Sequence, residues 1–282
     1  METFQINESI QSEGIAPIDN SMVLPMSDHF TKLSNDYNDI RNTDLAPVSF
    51  IANKLKNRTT ISGADIGCGA GRYDLLLLRQ LPTLDLTCCD SNEQMLNKTS
   101  SYLRSNDIRN FHILKVDANN LSIPSKTFDF ISSFNAVHHF EPITFLRRGA
   151  GALKSKGYLF VYTRLRSQNE RTIWGRFFPQ FHEKEDRLYD LGDVEIWAKS
   201  LKFLRLVGME FFQFNRRASL DQLLGKAERK HYSTFSLYTR EDFRQAMNGF
   251  QARIKNHFSD VNNIRWSDEN IMLVFQRIEG QA

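Results

Sequence analysis

Asp65 stands two residues ahead of three glycines at alternate positions, Gly67, Gly69 and Gly71, in the run Ala64-Asp65-Ile66-Gly67-Cys68-Gly69-Ala70-Gly71. Glycines so spaced let a backbone turn through positive φ and let a ligand lie against the main chain, where any side chain would intrude. The chemistry served by a carboxylate beside such a turn is the holding of a nucleotide-like cofactor. Asp90 follows Gly71 by 19 residues, the distance at which a ribose diol finds its acceptor. Further on, Asp117-Ala118 ends another apolar run, and Asn135-Ala136-Val137-His138-His139 follows a fourth. Imidazole titrates near neutrality, so His139 or His138 could take a proton from a hydroxyl or amine. The opposing reading, one ring packed inward and one capping a turn, stays open.

These residues need elements to hold them. Residues 72–81 are strong helix formers with no breaker before Pro82, so the glycine turn opens onto a helix N-terminus. Leu84–Asp90, Phe111–Ala118, Phe128–Phe134 and Gly157–Tyr162 read as strands, each apolar run separated from the next by a helical stretch or turn. Strand, glycine turn and helix in alternation predict a doubly wound, mostly parallel α/β sheet, with the ligand outside the carboxyl ends of the strands. Each carboxylate at a strand end could equally cap the following helix.

With 282 residues the chain is long enough for a sizeable core. No linker or repeat divides its middle, which predicts a single domain over 26–282 behind a loose polar tail at 1–25. Its cofactor half is expected at about 26–162 and a helical, substrate-side part at about 163–257. No run approaches the roughly 18 apolar residues of a membrane span, and residues 1–25 lack a signal-peptide core. A cytoplasmic protein without membrane partners is expected. Cys68, Cys88 and Cys89 have neither the number nor the spacing of a zinc site, so no metal is expected and they read as reduced core thiols.

Between Arg147 and Arg240 there are 19 Lys and Arg against 10 Asp and Glu, whereas the remainder is net acidic. That excess draws anions. Within it, Arg171, Trp174 and Arg176 alternate cation with ring, and Phe177, Phe178 and Phe181 follow. A second cluster, Arg229-Lys230-His231-Tyr232, lies downstream. Arg171, Trp174, Arg176, Arg229 and Tyr232 are therefore candidate contacts to an anionic or planar substrate, as part of a lid. The aromatics could equally be the core of an inserted helical pair.

Residues 64–162 resemble a class I S-adenosylmethionine-dependent methyltransferase, whose first motif puts an acidic residue two positions before a Gly-x-Gly-x-Gly turn. A nicotinamide dehydrogenase would place its third glycine one residue later. The resemblance implies a Rossmann-like seven-stranded sheet with helical insertions over its carboxyl edge. Its last strand, antiparallel, would come from Asn270–Gln276, beside Met209–Phe214. The cofactor implied is S-adenosyl-L-methionine, with Gly67, Gly69 and Gly71 beneath its methionine and ribose, Asp65 on the amino group and Asp90 on both ribose hydroxyls. Asp117 and Ala118 would face adenine, and Asn135 would meet cofactor and acceptor. Similar enzymes close the methionine end with an N-terminal Tyr and Arg, here Tyr37 and Arg41.

Two acceptor classes stay open. Ile131–Phe140, with Arg147-Arg148 and Tyr73, is similar to the family that methyl-esterifies carboxymethyl groups on wobble uridines of tRNA. Beyond Arg166 the chain looks more like small-molecule methyltransferases. The favoured acceptor is a small anion methylated at oxygen or nitrogen, with tRNA as the alternative. A non-catalytic cofactor-binding regulator is the third reading.

Overall fold

The computed structural model describes residues 42–279. Tyr37, Arg41 and the polar tail lie outside the described residues.

The first helix, α1 (Ala46–Leu55), carries Pro47 in its first turn, where the missing N–H costs nothing. It precedes β1 (Ile61–Ile66), which runs through the glycine turn into α2 (Arg72–Gln80). Then follow β2 (Leu84–Asp90), α3 (Glu93–Ser105), β3 (His112–Lys115), β4 (Phe128–Phe134), α4 (Pro142–Ala152) and β5 (Leu153–Thr163). Four helices come next: α5 (Arg166–Arg171), α6 (Ile173–Phe177), α7 (Phe181–Lys184) and α8 (Leu191–Ser200). A long edge strand β6 (Leu204–Ala218), α9 (Leu220–Glu228), α10 (Arg240–His257) and β7 (Ile264–Arg277) complete the order.

The seven strands lie in the order β3-β2-β1-β4-β5-β7-β6. The first five are parallel, and β7 runs antiparallel to both β5 and β6. This is the expected mostly parallel, Rossmann-like sheet with its antiparallel last strand. The third strand is shorter than its apolar run suggested: four residues, all exposed, because it is an edge covered only on one flank.

Period-two alternation splits the central strands between two cores. Ile131, Leu159, Val161, Leu273 and Phe275 face one way, against Phe145 and Leu146 of α4 and Trp197 of α8. Phe130, Phe160, Met272 and Val274 face the other way, against Ile51 and Leu55 of α1 and Leu75 and Leu77 of α2. All seven residues of β4 are buried, as expected of a strand covered on both faces.

A third core sits apart from the sheet's two faces. Trp174, Phe178, Phe181, Phe235 and Phe250 pack together with Leu223 and Ile254, drawing α6, α7, α9 and α10 into one unit. Trp174 lies nearly parallel to Phe250, with centroids 5.1 Å apart. The aromatics between β5 and β6 are thus core for inserted helices.

Candidate active site

The glycine turn is pinned by its neighbour strand. Gly67 N and Cys68 N both donate to Cys89 O, at 2.8 and 2.9 Å, and Gly69 N donates to Asp90 Oδ2 at 3.0 Å. Gly67 and Gly71 adopt φ of +75° and +81°. A Cβ at Gly67 would lie 2.6 Å from Ala136 Cβ, and one at Gly71 would lie 3.0 Å from Thr99 Cγ2. Both positions therefore require glycine for conformation and for space.

Asp65, at the end of β1, sits opposite Ser132 of β4 in register and accepts from its hydroxyl at 2.8 Å. No Lys or Arg pairs with it among the described residues, and it is 1% exposed. Burial, then the nearby Asp74, pushes its pKa well above the ordinary carboxylate value. Asp90 is likewise pushed up by burial, against donation from Asn92 N and Gly69 N. Asp90 does not cap the next helix: Asn92 does, accepting from Gln94 N and Met95 N. Asp117 caps the short turn that follows it, its Oδ1 accepting from Asn119 N at 2.9 Å, and it also lines the cavity.

These residues open onto a cavity of about 560 Å³, within the range for small ligands. Asp65, Gly67, Gly69, Asp90, Asp117 and Ala118 line one end. Gly71 shapes the turn from behind and is not itself on the wall. Asn135 follows β4 with φ +53°, a left-handed conformation that asparagine tolerates, and its N–H donates to Tyr162 O at 2.7 Å. His138 and His139 come next on a short 3-10 turn, their ring centroids 4.1 Å apart, and both line the cavity.

The substrate-side expectation needs correction at three arginines. Arg171, Arg176 and Arg229 do not line the cavity. Arg171 turns out to an ion pair with Glu269, Nη2 to Oε2 at 2.5 Å, with its side chain 46% exposed. On α6 the buried Trp174 occupies the inner face, so Arg176, two residues on, is carried to solvent. Arg229 is exposed and its Nε donates to Gly225 O at the end of its own helix. Trp174 and Tyr232 do reach the cavity wall.

Sequence reasoning missed the cations that line the other end: Arg164 just beyond β5, Arg216 of β6 and Lys226 of α9. Arg216 donates to both oxygens of Asp44 at 2.9 and 2.7 Å and through Nε to Asp268 Oδ2 at 3.1 Å. Arg164 donates from Nε to Glu269 O at 3.2 Å, and its guanidinium lies 5.6 Å from the Tyr232 ring. The aromatic interleaving drew attention to the exposed arginines. The one available signal for Arg164 was its place at the carboxyl end of a parallel strand.

Residues 64–157 match the family model described as a methyltransferase domain. Residues 64–157, which hold the glycine turn, Asp65, Asp90 and Asp117, therefore carry a methyltransferase domain. No curated protein sequence matches the chain. Solved structures show the likeness of the fold. A putative methyltransferase from Bacillus halodurans is 15% identical, covers 83% of this chain and 99% of its own, and superposes with a TM-score of 0.60. A putative methyltransferase from an antibiotic biosynthesis pathway of Anabaena variabilis is 20% identical, with 83% and 98% covered and a TM-score of 0.60. Phospholethanolamine N-methyltransferase 2 of Haemonchus contortus, in complex with phosphomonomethylethanolamine and S-adenosylhomocysteine, is 16% identical, with 92% of this chain and 61% of that one covered and a TM-score of 0.55. Among the described residues, no three His, Cys, Asp or Glu come together to hold a metal, and no helix is long and apolar enough to cross a membrane.

Proposed function

We propose that this methyltransferase transfers a methyl group to an oxygen or nitrogen atom of a small anionic acceptor. The observation that carries this reading is the change of charge along one cavity, from Asp65, Asp90 and Asp117 at the glycine turn to Arg164, Arg216 and Lys226, in excess of Asp44 and Asp268, at the other end, where Glu185 is matched by Arg187. Clefts lined by one sign of charge concentrate ligands of the other.

The cofactor end fits a cationic ligand. Asp65 and Asp90 are withdrawn from water with no cation beside them among the described residues, an arrangement that an ammonium and a sulfonium would relieve. Gly67, Gly69 and Gly71 would pass beneath methionine and ribose, Asp65 would accept from the amino group and Asp90 from the ribose hydroxyls. Asp117 and Ala118 would border adenine, and Asn135 would mark the junction with the acceptor. When bound, S-adenosylmethionine supplies a methyl group on sulfur that is its own leaving group, so the chain's task is alignment, exclusion of water and custody of one proton. His139, with His138 beside it, stands where an acceptor hydroxyl or amine would release that proton to an imidazole nitrogen. A carboxylate acceptor would need no base.

The test is incubation with methyl-labelled cofactor and a metabolite extract, with and without ribonuclease. Label in a small acidic product, unchanged by ribonuclease, is expected. Label that appears in RNA and vanishes on digestion would replace this reading with tRNA methylation, in which the exposed Arg176 and Arg229 would bind phosphates.

A further inference from the structure

The residues at the acceptor end leave a charge uncompensated. Arg164, Arg216 and Lys226 face the cavity there together with Asp44 and Asp268. Both carboxylates are held by Arg216, and Asp268 Oδ1 also accepts from Trp266 Nε1 at 3.0 Å. Glu185, on the same wall, is matched by Arg187 at 2.6 Å and takes a hydroxyl from Thr234. Arg72, also on the cavity wall, donates to Asn42 O and Thr43 Oγ1, and at this end three cations against two carboxylates leave one positive charge. Lys226 carries it: its side chain is half-buried, and among the described residues no hydrogen bond or ion pair reaches its ammonium. Burial holds its pKa below the ordinary lysine value, which an added anion would reverse.

A second group is also left wanting. Tyr162 is 1% exposed and lines the cavity, and its buried hydroxyl has no hydrogen-bond partner among the described residues. An unmade hydrogen bond of this kind costs about 1–3 kcal/mol. Tyr162, Arg216 and Lys226 all line this one cavity, and the charge of Arg216 acts on both of the others. The half-buried Tyr232 and Trp266 also line the cavity, backed by the buried Trp174 and Phe181 of the third core.

We infer that this end binds the single carboxylate of a planar, aromatic acid, with Lys226 as its counter-ion and the Tyr162 hydroxyl as a further donor. The inference rests on the proposed function and narrows it: the carboxylate is the handle, and a ring hydroxyl or amino group is the atom presented towards His138 and His139. Arg72, Arg164 and Arg216 have hydrogen-bond partners, so the one ammonium on the cavity wall, without a partner among the described residues, calls for one negative charge, which favours a carboxylate over a phosphate dianion. Aromatic rings stack on such walls with little loss of freedom.

The test is calorimetric titration of the full chain, saturated with S-adenosylhomocysteine, with 4-hydroxybenzoate, its neutral amide and phenyl phosphate. The hydroxybenzoate is expected to bind most tightly. Lys226→Met should weaken it by about tenfold or more while leaving the affinity for S-adenosylhomocysteine unchanged, and Lys226→Arg should restore most of the loss. Tyr162→Phe should weaken it by a smaller factor. Equal binding of the amide, tighter binding of phenyl phosphate, no binding of the acid, or an undiminished Lys226→Met would each overturn the inference. Should Lys226→Met fail to fold, the acid-against-amide contrast and the Lys226→Arg variant decide it. Methyl transfer is scored separately: acid binding lost with Lys226→Met, but label passing only to RNA, removes the proposed function and leaves the binding site standing.

Discussion

The two ends of the cavity are built on different principles. At the cofactor end, Asp65, Asp90 and Asn135 each stand at or just beyond the carboxyl end of a parallel strand, and strands β2, β1 and β4 are direct neighbours. A turn of backbone does most of the holding there. At the acceptor end, Arg216 meets a carboxylate 172 residues away and another 52 residues away, across an antiparallel ladder and a preceding loop. Side chains do the holding there. The first end gathers negative charge and the second a surplus of positive charge, so a cationic ligand and an anionic one would be oriented head to head in one cavity. The difference shows that a cofactor motif can be local while its substrate site is not.

Gly67→Val should break the first end most severely. Its Cβ would lie 2.6 Å from Ala136 Cβ at a φ of +75°, so calorimetry should find no measurable heat with S-adenosylhomocysteine. Retained micromolar binding would show that the turn is not the cradle.

Arg216→Met should strike the second end instead. It strands Asp44 and Asp268, whose side chains are 15% and 7% exposed, and roughly 3 kcal/mol of stability should be lost in denaturant unfolding. Cofactor affinity should survive at denaturant concentrations where the variant stays folded, and an equal loss at both ends would erase the distinction between them.

Asp90→Ala should reduce affinity for S-adenosylhomocysteine by about 1–3 kcal/mol, since the carboxylate steadies Gly69 N and lines the cavity where the proposed ribose contact would form. Affinity for an acidic probe at the other end, measured on the same variant, should hold.

Asp74 offers a finer probe of the acidic end. It is fully buried in the first turn of α2, and burial pushes its pKa up to about 7 against a partial offset from the Cys88 thiol. A raised native pKa favours the protonated folded state. Its contribution is complete below the unfolded value near 4 and is lost as pH rises through about 7. Asp74→Asn should therefore melt a few degrees above the parent at pH 8 and together with it at pH 4. A constant difference across that window would mean that the carboxylate is already ionised in the fold.

Arg171→Ala should do least. Its pair with Glu269 is about half exposed, so under about 1 kcal/mol of stability and no acidic-probe affinity should be lost. A marked loss of probe binding would return the acceptor site to the surface arginines.

Residues 64–90 contain in linear order most of what the cofactor end needs: a buried strand, glycines where φ must be positive, a helix without a breaker and a second strand ending in a carboxylate. Backbone conformation and period-two burial are properties of neighbours in sequence, so the succession of strands along the chain up to β5 and the place of Asp65 and Asp90 at strand ends could be expected from the chain alone. The insertion's composition was legible too, but its direction was not. An alternation of arginine and aromatic residues suits a binding surface or an amphipathic helix equally, and the fold divided the two: it buried Trp174, Phe178 and Phe181 in a core that Trp174 and Phe181 share with the cavity wall, and it turned Arg171 and Arg176 outward. Which cations face the cavity was settled by the register of β6 on β7 and by the packing of α9 against that third core. Those contacts join residues far apart in the chain, and their energies depend on desolvation and charge in three dimensions, for which no linear spacing is a signature.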